Sequence, residues 1–284
     1  MDTLSAALLG LLQGLTEFLP VSSSAHLTAA EAVLGVKSPP LLSAVALHCG
    51  TLLAILVVFW RDLWAIAADG IRGCWIYLRR GDSKAVLEKA PLFVTAAAIV
   101  VGTIPAGVAG VLLHEKMEQA FGSLTASGAF LMVTGLFLLA SRFAPKPKTD
   151  RVEAGRGFLI GIAQAVALLP GISRSGSTIV AGCMLGVDRR VAGRFAFLLA
   201  VPALAGAAVL EVLRNRHALF ASAPAGKDSL IQVGALAAGA LVAAVVGTIC
   251  LIVVMRIIER GRLHWFAAYC LPAGAAMAIA GMLR

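Results

Sequence analysis

The sequence predicts an all-α polytopic membrane protein with six transmembrane helices and two re-entrant helix-loop-helix hairpins, arranged as an inverted-topology repeat. Three observations lead to this prediction. The composition is strongly apolar, six apolar runs are long enough to cross a membrane, and two further apolar segments are each broken by a proline that serines follow closely.

The composition indicates a single integral membrane domain over residues 1–284. Hydrophobic residues make up 60% of the chain and charged residues only 14%, with a mean hydropathy of +0.91. A soluble protein of this length needs far more polar surface. The net charge of +9 does not indicate nucleic-acid binding, because the basic residues lie in short segments between the apolar runs, where membrane topology accounts for them.

Six apolar runs can each cross about 30 Å of hydrocarbon at about 1.5 Å per helical residue. These predicted spans are 41–60, 91–113, 119–140, 191–213, 229–255 and 265–283. Residues 1–36 and 157–187 are also apolar but are interrupted at Pro20 and Pro170. Because proline blocks helix continuation, each segment is predicted to form helix, loop, helix, with pieces of about 12 to 18 residues that are too short to cross. Re-entrant hairpins are therefore expected.

The basic residues predict the orientation of the spans. Seventeen of the 24 Lys and Arg residues fall on one face, which is formed by the predicted loops 61–90, 141–156, 188–194 and 256–262. The opposite face holds six. The positive-inside rule makes the first face cytoplasmic.

This topology divides the chain into two repeats of opposite orientation, 1–140 and 157–284, each a hairpin followed by three spans. Aligning the two prolines supports the repeat locally. The matched pairs are Ser23 with Ser173 and Thr28 with Thr178, with Gln13 and Gln164 each three residues after a glycine. Inverted repeats bring two broken helices together near the midplane, where irregular backbone is tolerated only if it lines a cavity. The two proline-serine stretches are therefore expected to face each other.

The second stretch, PGISRSGST at 170–178, has the residues of an anion site. Gly171 and Gly176 allow unusual backbone angles that expose N–H groups, and Arg174 offers a planar fork that matches phosphate oxygens. Hydroxyl donors at the start of the following helix come from Ser173, Ser175, Ser177 and Thr178. The competing interpretation is that these serines only cap a broken helix, but capping needs no arginine.

The first stretch, EFLPVSSSAH at 17–26, has residues suited to nucleophilic chemistry. Ser23 and His26 are three residues apart on the predicted helix, so the imidazole is a candidate base for the hydroxyl. Glu17 is a candidate to orient that imidazole or to bind a divalent cation. Gln13, one turn earlier, is a candidate neutral ligand or hydrogen-bond partner. Alternatively, the serines form an N-cap and His26 is a buried, hydrogen-bonded histidine.

The residues QGLTEFLPVSSSAH at 13–26 and PGISRSGST at 170–178 closely resemble the two signatures of the undecaprenyl pyrophosphate phosphatase family, the bacitracin-resistance membrane phosphatases of bacteria. The resemblance extends over essentially the whole chain, including LHCGTLLA at 47–54. Many members have Glu where this chain has Gln13, which brings into question any mechanism in which two carboxylates share a metal.

The resemblance implies hydrolysis of undecaprenyl pyrophosphate to undecaprenyl phosphate and inorganic phosphate, which recycles the lipid carrier of peptidoglycan synthesis and thereby serves cell-wall biogenesis, cell shape and bacitracin resistance. It also implies a location in the bacterial inner membrane, a site open to the periplasmic side, a polyprenyl pyrophosphate lipid as the partner and a requirement for Mg²⁺ or Ca²⁺. Whether the protein is a homodimer is left open.

The resemblance further implies residue roles. Ser23 is expected to be the nucleophile, with His26 as its base or as the acid for the leaving group, although His26 as the nucleophile is also open. Glu17 is expected to orient His26 or, with Gln13, to bind the cation. The expected pyrophosphate-binding residues are Arg174, Ser173, Ser175, Thr178, Gly171, Gly176 and Ser22. The alternative function is a polyprenyl-phosphate flippase that uses the same anion site, alone or in addition to hydrolysis.

Overall fold

The computed structural model describes residues 3–34, 41–113, 122–214 and 227–283, and in these ranges the chain is helical with no β-strand. The predicted all-α class is therefore confirmed for the described residues. The first six helices are α1 (Thr3–Phe18), α2 (Ser23–Leu34), α3 (Leu41–Val58), α4 (Trp60–Arg80), α5 (Ser83–Lys89) and α6 (Phe93–Leu112). The next six are α7 (Leu124–Ala140), α8 (Ala154–Val166), α9 (Arg174–Met184), α10 (Arg189–Arg214), α11 (Lys227–Glu259) and α12 (Ala267–Met282).

Five described helical segments are long and apolar enough to cross a membrane, namely those built on α6, α7, α10, α11 and α12. The pair α3 and α4 passes the same test together but is bent by 79° at Phe59, so the number becomes six if the pair is one broken span. These helices match the predicted spans to within a few residues. The start of the run predicted at 119–140 and the end of the hairpin predicted at 1–36 lie outside the described residues.

The segment 61–90, predicted to be a loop, is instead largely helical. Its helix α4 is amphipathic: a stripe of exposed apolar side chains runs along it, and Arg61 and Arg79 lie over the rings of Trp60 and Trp75. The opposite face buries Ile66 and brings Gly73 against α6. An apolar stripe flanked by arginines and tryptophans is typical of a helix that lies in the membrane interface. Of the basic residues that suggested a loop, those at 61–80 belong to α4 and Lys84 and Lys89 belong to α5.

The two proline-containing segments are broken as predicted. Between α1 and α2 the break is residues 19–22, and between α8 and α9 it is residues 167–173, so Pro20 and Pro170 each lie in a break. Since proline cannot donate the backbone hydrogen bond that would continue the preceding helix, both helices end before it.

Small residues allow the first helix of each broken segment to pack closely on a span from the other half of the chain. A Cβ on Gly10 of α1 would overlap the carbonyl oxygen of Gly239 in α11, and a Cβ on Gly161 of α8 would overlap that of Gly102 in α6. Such close approach through small residues is how helices associate in membranes, where lipid removes the hydrophobic driving force. The breaks that follow α1 and α8 are thereby anchored to long helices.

The close α8–α6 contact makes a stability prediction. Gly161→Ala places a methyl group inside the carbonyl of Gly102 and should lower stability by about 1–3 kcal/mol. Gly155→Ala is the matched control, because it lies in the same helix and a Cβ there meets nothing within 4 Å. Thermal unfolding in detergent should give a lower Tm for Gly161→Ala only. Equal Tm values for the two variants would contradict this packing.

Candidate active site

The first break turns sharply between Phe18 and Ser23. The Val21 N–H donates to the Leu19 carbonyl at 2.7 Å, and Ser22 has φ = 65°, the one positive φ among the described residues other than glycine. A left-handed conformation at a residue with a side chain costs roughly 1–2 kcal/mol, and such strain often accompanies functional sites. The Ser22 and Ser24 hydroxyls are hydrogen-bonded at 3.0 Å. The turn leaves Ser23 as the first residue of α2.

The second break is held by side-chain bonds to its irregular backbone. Thr134 of α7 donates through Oγ1 to the Gly171 carbonyl at 3.0 Å and accepts from the Ser173 N–H at 2.9 Å. Gly171 has φ = 101°, and a Cβ there would overlap the carbonyl of Ser127, so only glycine fits. Ser173 caps α9 by accepting from the Gly176 N–H at 3.1 Å. Arg174 is therefore the first residue of a well-fixed helix.

The two breaks contact each other, as the sequence analysis predicts. The Gly171 N–H donates to Ser24 Oγ at 3.1 Å, and Ser175 Oγ donates to the Leu19 carbonyl at 3.4 Å. The strongest contact is an ion pair between Arg174 Nη2 and Glu17 Oε1 at 2.7 Å. Residues 157 positions apart in the chain thus form one polar cluster within an apolar protein.

Glu17 is the centre of this cluster. Its Oε1 accepts from Arg174, and its Oε2 accepts from Ser23 Oγ at 2.7 Å and from Gln13 Nε2 at 3.0 Å. The Glu17 side chain is only 6% exposed. Three converging donors satisfy an ionised carboxylate that would be costly to bury alone. Because the Ser23 hydrogen points at a carboxylate oxygen, the lone pairs of Ser23 Oγ are free to attack and Glu17 is in contact to take the proton.

The expected Ser23–His26 contact is not present among the described hydrogen bonds. His26 Nδ1 is 2.8 Å from the Ser22 carbonyl, and Nε2 is 2.6 Å from the hydroxyl of Tyr269 in α12. A carbonyl only accepts, so Nδ1 carries a hydrogen and donates it to Ser22, while Nε2 shares a hydrogen bond with the Tyr269 hydroxyl. Glu17 likewise bonds Ser23 and not His26. In this structure each side chain has a partner outside the pair, Glu17 for Ser23 and Tyr269 for His26.

A cavity of about 570 Å³ lies beside the cluster. Among the described residues its wall includes Glu17, Ser22, Ser23, Ser24, Ser173 and Arg174 from the two breaks, and His48 and Gln164 from α3 and α8. His48 donates through Nδ1 to the Ala44 carbonyl at 2.8 Å. The rest of the described wall is largely apolar, with contributions from α10 such as Leu204. A polar end in an otherwise apolar cavity suits an amphiphile with an anionic head.

Four of the expected pyrophosphate-binding residues, Ser175, Thr178, Gly171 and Gly176, are not part of the described cavity wall. They hold the loop: Thr178 Oγ1 donates to the Arg174 carbonyl at 2.8 Å, and the Ser175 and Ser173 hydroxyls are 3.2 Å apart. Through these bonds they fix the backbone and side chains of Ser173 and Arg174, which face the cavity.

Thr134 and Tyr269 were missed by sequence reasoning. Tyr269 is 47% exposed, so burial does not require a partner for it. For Thr134, which is 1% exposed, the available signal was a hydroxyl in an otherwise apolar span, because a buried hydroxyl needs a partner. This signal indicates that the hydroxyl has a hydrogen-bond partner, but it does not identify the partner residue.

Comparison with known proteins shows the family of the chain. The chain matches the family model for the bacitracin resistance protein BacA over residues 6–276. The chain belongs to the BacA family. A protein named undecaprenyl-diphosphatase from Desulforapulum autotrophicum is 38% identical over 285 residues and covers 100% of both chains. Relatives of the same name from Desulfosudis oleivorans and Geobacter sulfurreducens are each 41% identical, covering 99% and 98% of this chain and 100% and 97% of their own.

Oxygen donors for a cation are few around the described cavity of this BacA family member. The described residues contain no cluster of three or more His, Cys, Asp or Glu side chains that could hold a metal. Glu17 is the one carboxylate of the described cavity wall, and Gln13 Oε1, on the same helix, is buried with no hydrogen-bond partner among the described residues. This donor set is too small for a cation held entirely by the protein.

The buried ion pair makes a second stability prediction. Glu17→Leu leaves Arg174 without its partner, and Arg174→Met leaves Glu17 without its partner, so each change should cost about 3–5 kcal/mol in unfolding free energy. The double variant removes both charges and should recover most of that loss, because an apolar pair of similar volume replaces a buried ion pair at little cost. Thermal unfolding of the four proteins in detergent measures the coupling. If the loss of stability in the double variant equalled the sum of the two single losses, a direct Glu17–Arg174 bond would be contradicted.

Proposed function

We propose that this protein hydrolyses undecaprenyl pyrophosphate to undecaprenyl phosphate and inorganic phosphate, recycling the lipid carrier of cell-wall synthesis and conferring bacitracin resistance. Membership of the BacA family and the undecaprenyl-diphosphatase names of the relatives support it. The observation that carries the proposal is the convergence of a hydroxyl, a carboxylate and a guanidinium at the polar end of an apolar cavity. A nucleophile, a proton acceptor and an anion clamp are the groups that phosphoryl transfer needs.

In the proposed reaction Ser23 is the nucleophile and Glu17 is the group that accepts its proton. Ser23 Oγ bonds to the terminal phosphorus, the bridging P–O bond breaks, and undecaprenyl phosphate leaves with the electron pair. The proton of Ser23 passes to Glu17 Oε2, to which it is hydrogen-bonded at 2.7 Å. Water then attacks the phosphoserine and releases inorganic phosphate. His26, bonded to Tyr269, supports the turn at Ser22 in this scheme.

Arg174 is proposed to clamp the pyrophosphate. Among the described residues Arg174 bonds Glu17 through Nη2 alone, so its other guanidinium N–H groups are available for phosphate oxygens. Ser173 and Ser22, which also line the cavity, add hydroxyl donors. Positioning and charge neutralisation provide most of the acceleration in phosphoryl transfer, so the clamp should matter as much as the nucleophile.

A divalent cation, Mg²⁺ or Ca²⁺, is proposed to bind with the substrate. Glu17 and the unpartnered Gln13 Oε1 fit a cation that takes most of its ligands from pyrophosphate oxygens, which is how Mg²⁺ is commonly bound. When bound, the cation would neutralise charge that develops on the phosphoryl oxygens.

We further propose six spans and two re-entrant hairpins in an inverted repeat, in the bacterial inner membrane, with the active site open to the periplasm. The packing of α1 on α11 and of α8 on α6 supports it, since each hairpin helix rests on a span of the other half. The excess of Lys and Arg on one face supports the orientation. The flippase alternative is not favoured by the comparisons, because the relatives bear the name of a phosphatase.

The activity prediction concerns phosphate release from undecaprenyl pyrophosphate in detergent. The wild type should release phosphate, EDTA should abolish the release, and added Mg²⁺ or Ca²⁺ should restore it. Ser23→Ala and Arg174→Ala should each lower kcat by at least about 1,000-fold, because they remove the nucleophile and the charge clamp. Ser43→Ala, a buried serine of α3 outside the described cavity wall, is the control and should retain activity.

Mass spectrometry of the quenched wild-type reaction should place the phosphoryl group on Ser23. A phosphoryl group on His26, or full activity of Ser23→Ala, would contradict the assignment of the nucleophile. No release by folded wild type would contradict the proposed function.

A further inference from the structure

Gln164 is a buried amide with neither end satisfied. It lies near the end of α8 and is 1% exposed, and both its Nε2 and its Oε1 are buried with no hydrogen-bond partner among the described residues. Most buried polar side-chain atoms are hydrogen-bonded, because an unmet donor or acceptor loses its water without compensation. Packing alone does not explain an amide at this position, because leucine or methionine would fill a similar volume without the cost of unsatisfied polar atoms.

The surroundings of Gln164 indicate the reason. Among the described residues with unpartnered buried polar atoms, Gln164 alone lines the cavity of about 570 Å³, where Glu17, Ser23 and Arg174 also lie. The others are Gln13 and the hydroxyls of Ser43, Ser127 and Ser177. Gln13 differs because its Nε2 is bonded to Glu17. The site therefore contains one complete amide, with two N–H donors and a carbonyl acceptor, that has no hydrogen-bond partner among the described residues.

The position of Gln164 is fixed by its helix. Gly161, one turn earlier, packs against the backbone of Gly102 in α6, so α8 cannot slide without losing that contact. The terminal torsions of a glutamine are soft, so the amide can turn toward a ligand while the backbone stays in place. A fixed helix with a rotatable amide at a cavity wall suits a residue that positions a reactant.

We propose that Gln164 positions the water that hydrolyses the phosphoserine, by accepting a hydrogen bond from the water through Oε1 and donating to a phosphoryl oxygen through Nε2. This role rests on the proposed function. In the step, the water oxygen bonds to phosphorus and the bond from phosphorus to Ser23 Oγ breaks. Its electron pair returns to Ser23, which takes back the proton from Glu17, and both water hydrogens remain on the inorganic phosphate. A single amide can bridge the water and the phosphoryl group because it has both a donor and an acceptor.

The test is Gln164→Leu, with Gln164→Met as a second apolar variant. Stability and activity should change in opposite directions. The Tm in detergent should stay level or rise by a few degrees, because two unsatisfied buried groups are removed. The kcat for phosphate release should fall by about 100-fold, the effect of losing one preorganised polar contact in the transition state. KM should fall with kcat and kcat/KM should change little, because only the second step, after phosphoserine has formed, is slowed.

A burst experiment tests the step itself. With Gln164→Leu, about one equivalent of undecaprenyl phosphate per active site should appear quickly, ahead of inorganic phosphate, while phosphoserine accumulates on Ser23. Gln164→Glu keeps the acceptor but brings negative charge to the pyrophosphate, so its KM should rise. Ser43→Ala is the control, because it also removes an unpartnered buried polar atom but lies outside the described cavity wall. Ser43→Ala should have the wild-type kcat, and it should release undecaprenyl phosphate and inorganic phosphate at the same time.

Three results would overturn the role of Gln164. Wild-type kcat in Gln164→Leu would show that the amide is not used, and a fall in Tm together with activity would show that it holds the fold. Equal, slow formation of both products would exclude an effect on the water step. If the wild type itself released no phosphate, the proposed function would fail and the role of Gln164 would fail with it.

Discussion

The ion pair between Glu17 and Arg174 is the interaction on which the rest of the site depends. A carboxylate in an apolar protein must be neutralised, and here the guanidinium comes from the opposite broken segment at 2.7 Å. Each charge therefore requires the other segment to be present and correctly placed. In the proposed reaction the pair also positions the proton acceptor, because the carboxylate that Arg174 binds accepts the hydrogen bond from Ser23.

The irregular backbone around this pair is possible because neighbouring helices satisfy it. Thr134 bonds both Gly171 and Ser173, and Ser24 accepts from the Gly171 N–H across the interface between the breaks. In a membrane, non-helical backbone is stable only where the protein supplies such partners. The close glycine contacts of α1 with α11 and of α8 with α6 bring the two breaks to the same place. Function and packing thus use the same short stretches of sequence.

Much of this arrangement could be predicted from sequence because the signals are local. Prolines mark the breaks, the four-residue spacing of Gln13 and Glu17 predicts their contact, and the matching serines indicate that the two stretches are equivalent. The partners of His26 could not be predicted in this way, since Tyr269 lies 243 residues away and no spacing rule links them. The helix α4 was missed because its arginines resemble those of a loop, although its apolar stripe is periodic. Gln164 was noticed only as a counterpart of Gln13, because burial without a partner is visible only in three dimensions.

The most direct test of a single site built from both breaks is an experimental structure with a non-hydrolysable methylene-bisphosphonate analogue of the lipid. The terminal phosphonate is expected in the cavity of about 570 Å³, within hydrogen-bond distance of Arg174 and next to Ser23 Oγ, with the polyprenyl chain along the apolar wall. Contact with residues from only one of the two breaks, or binding outside this cavity, would contradict the account.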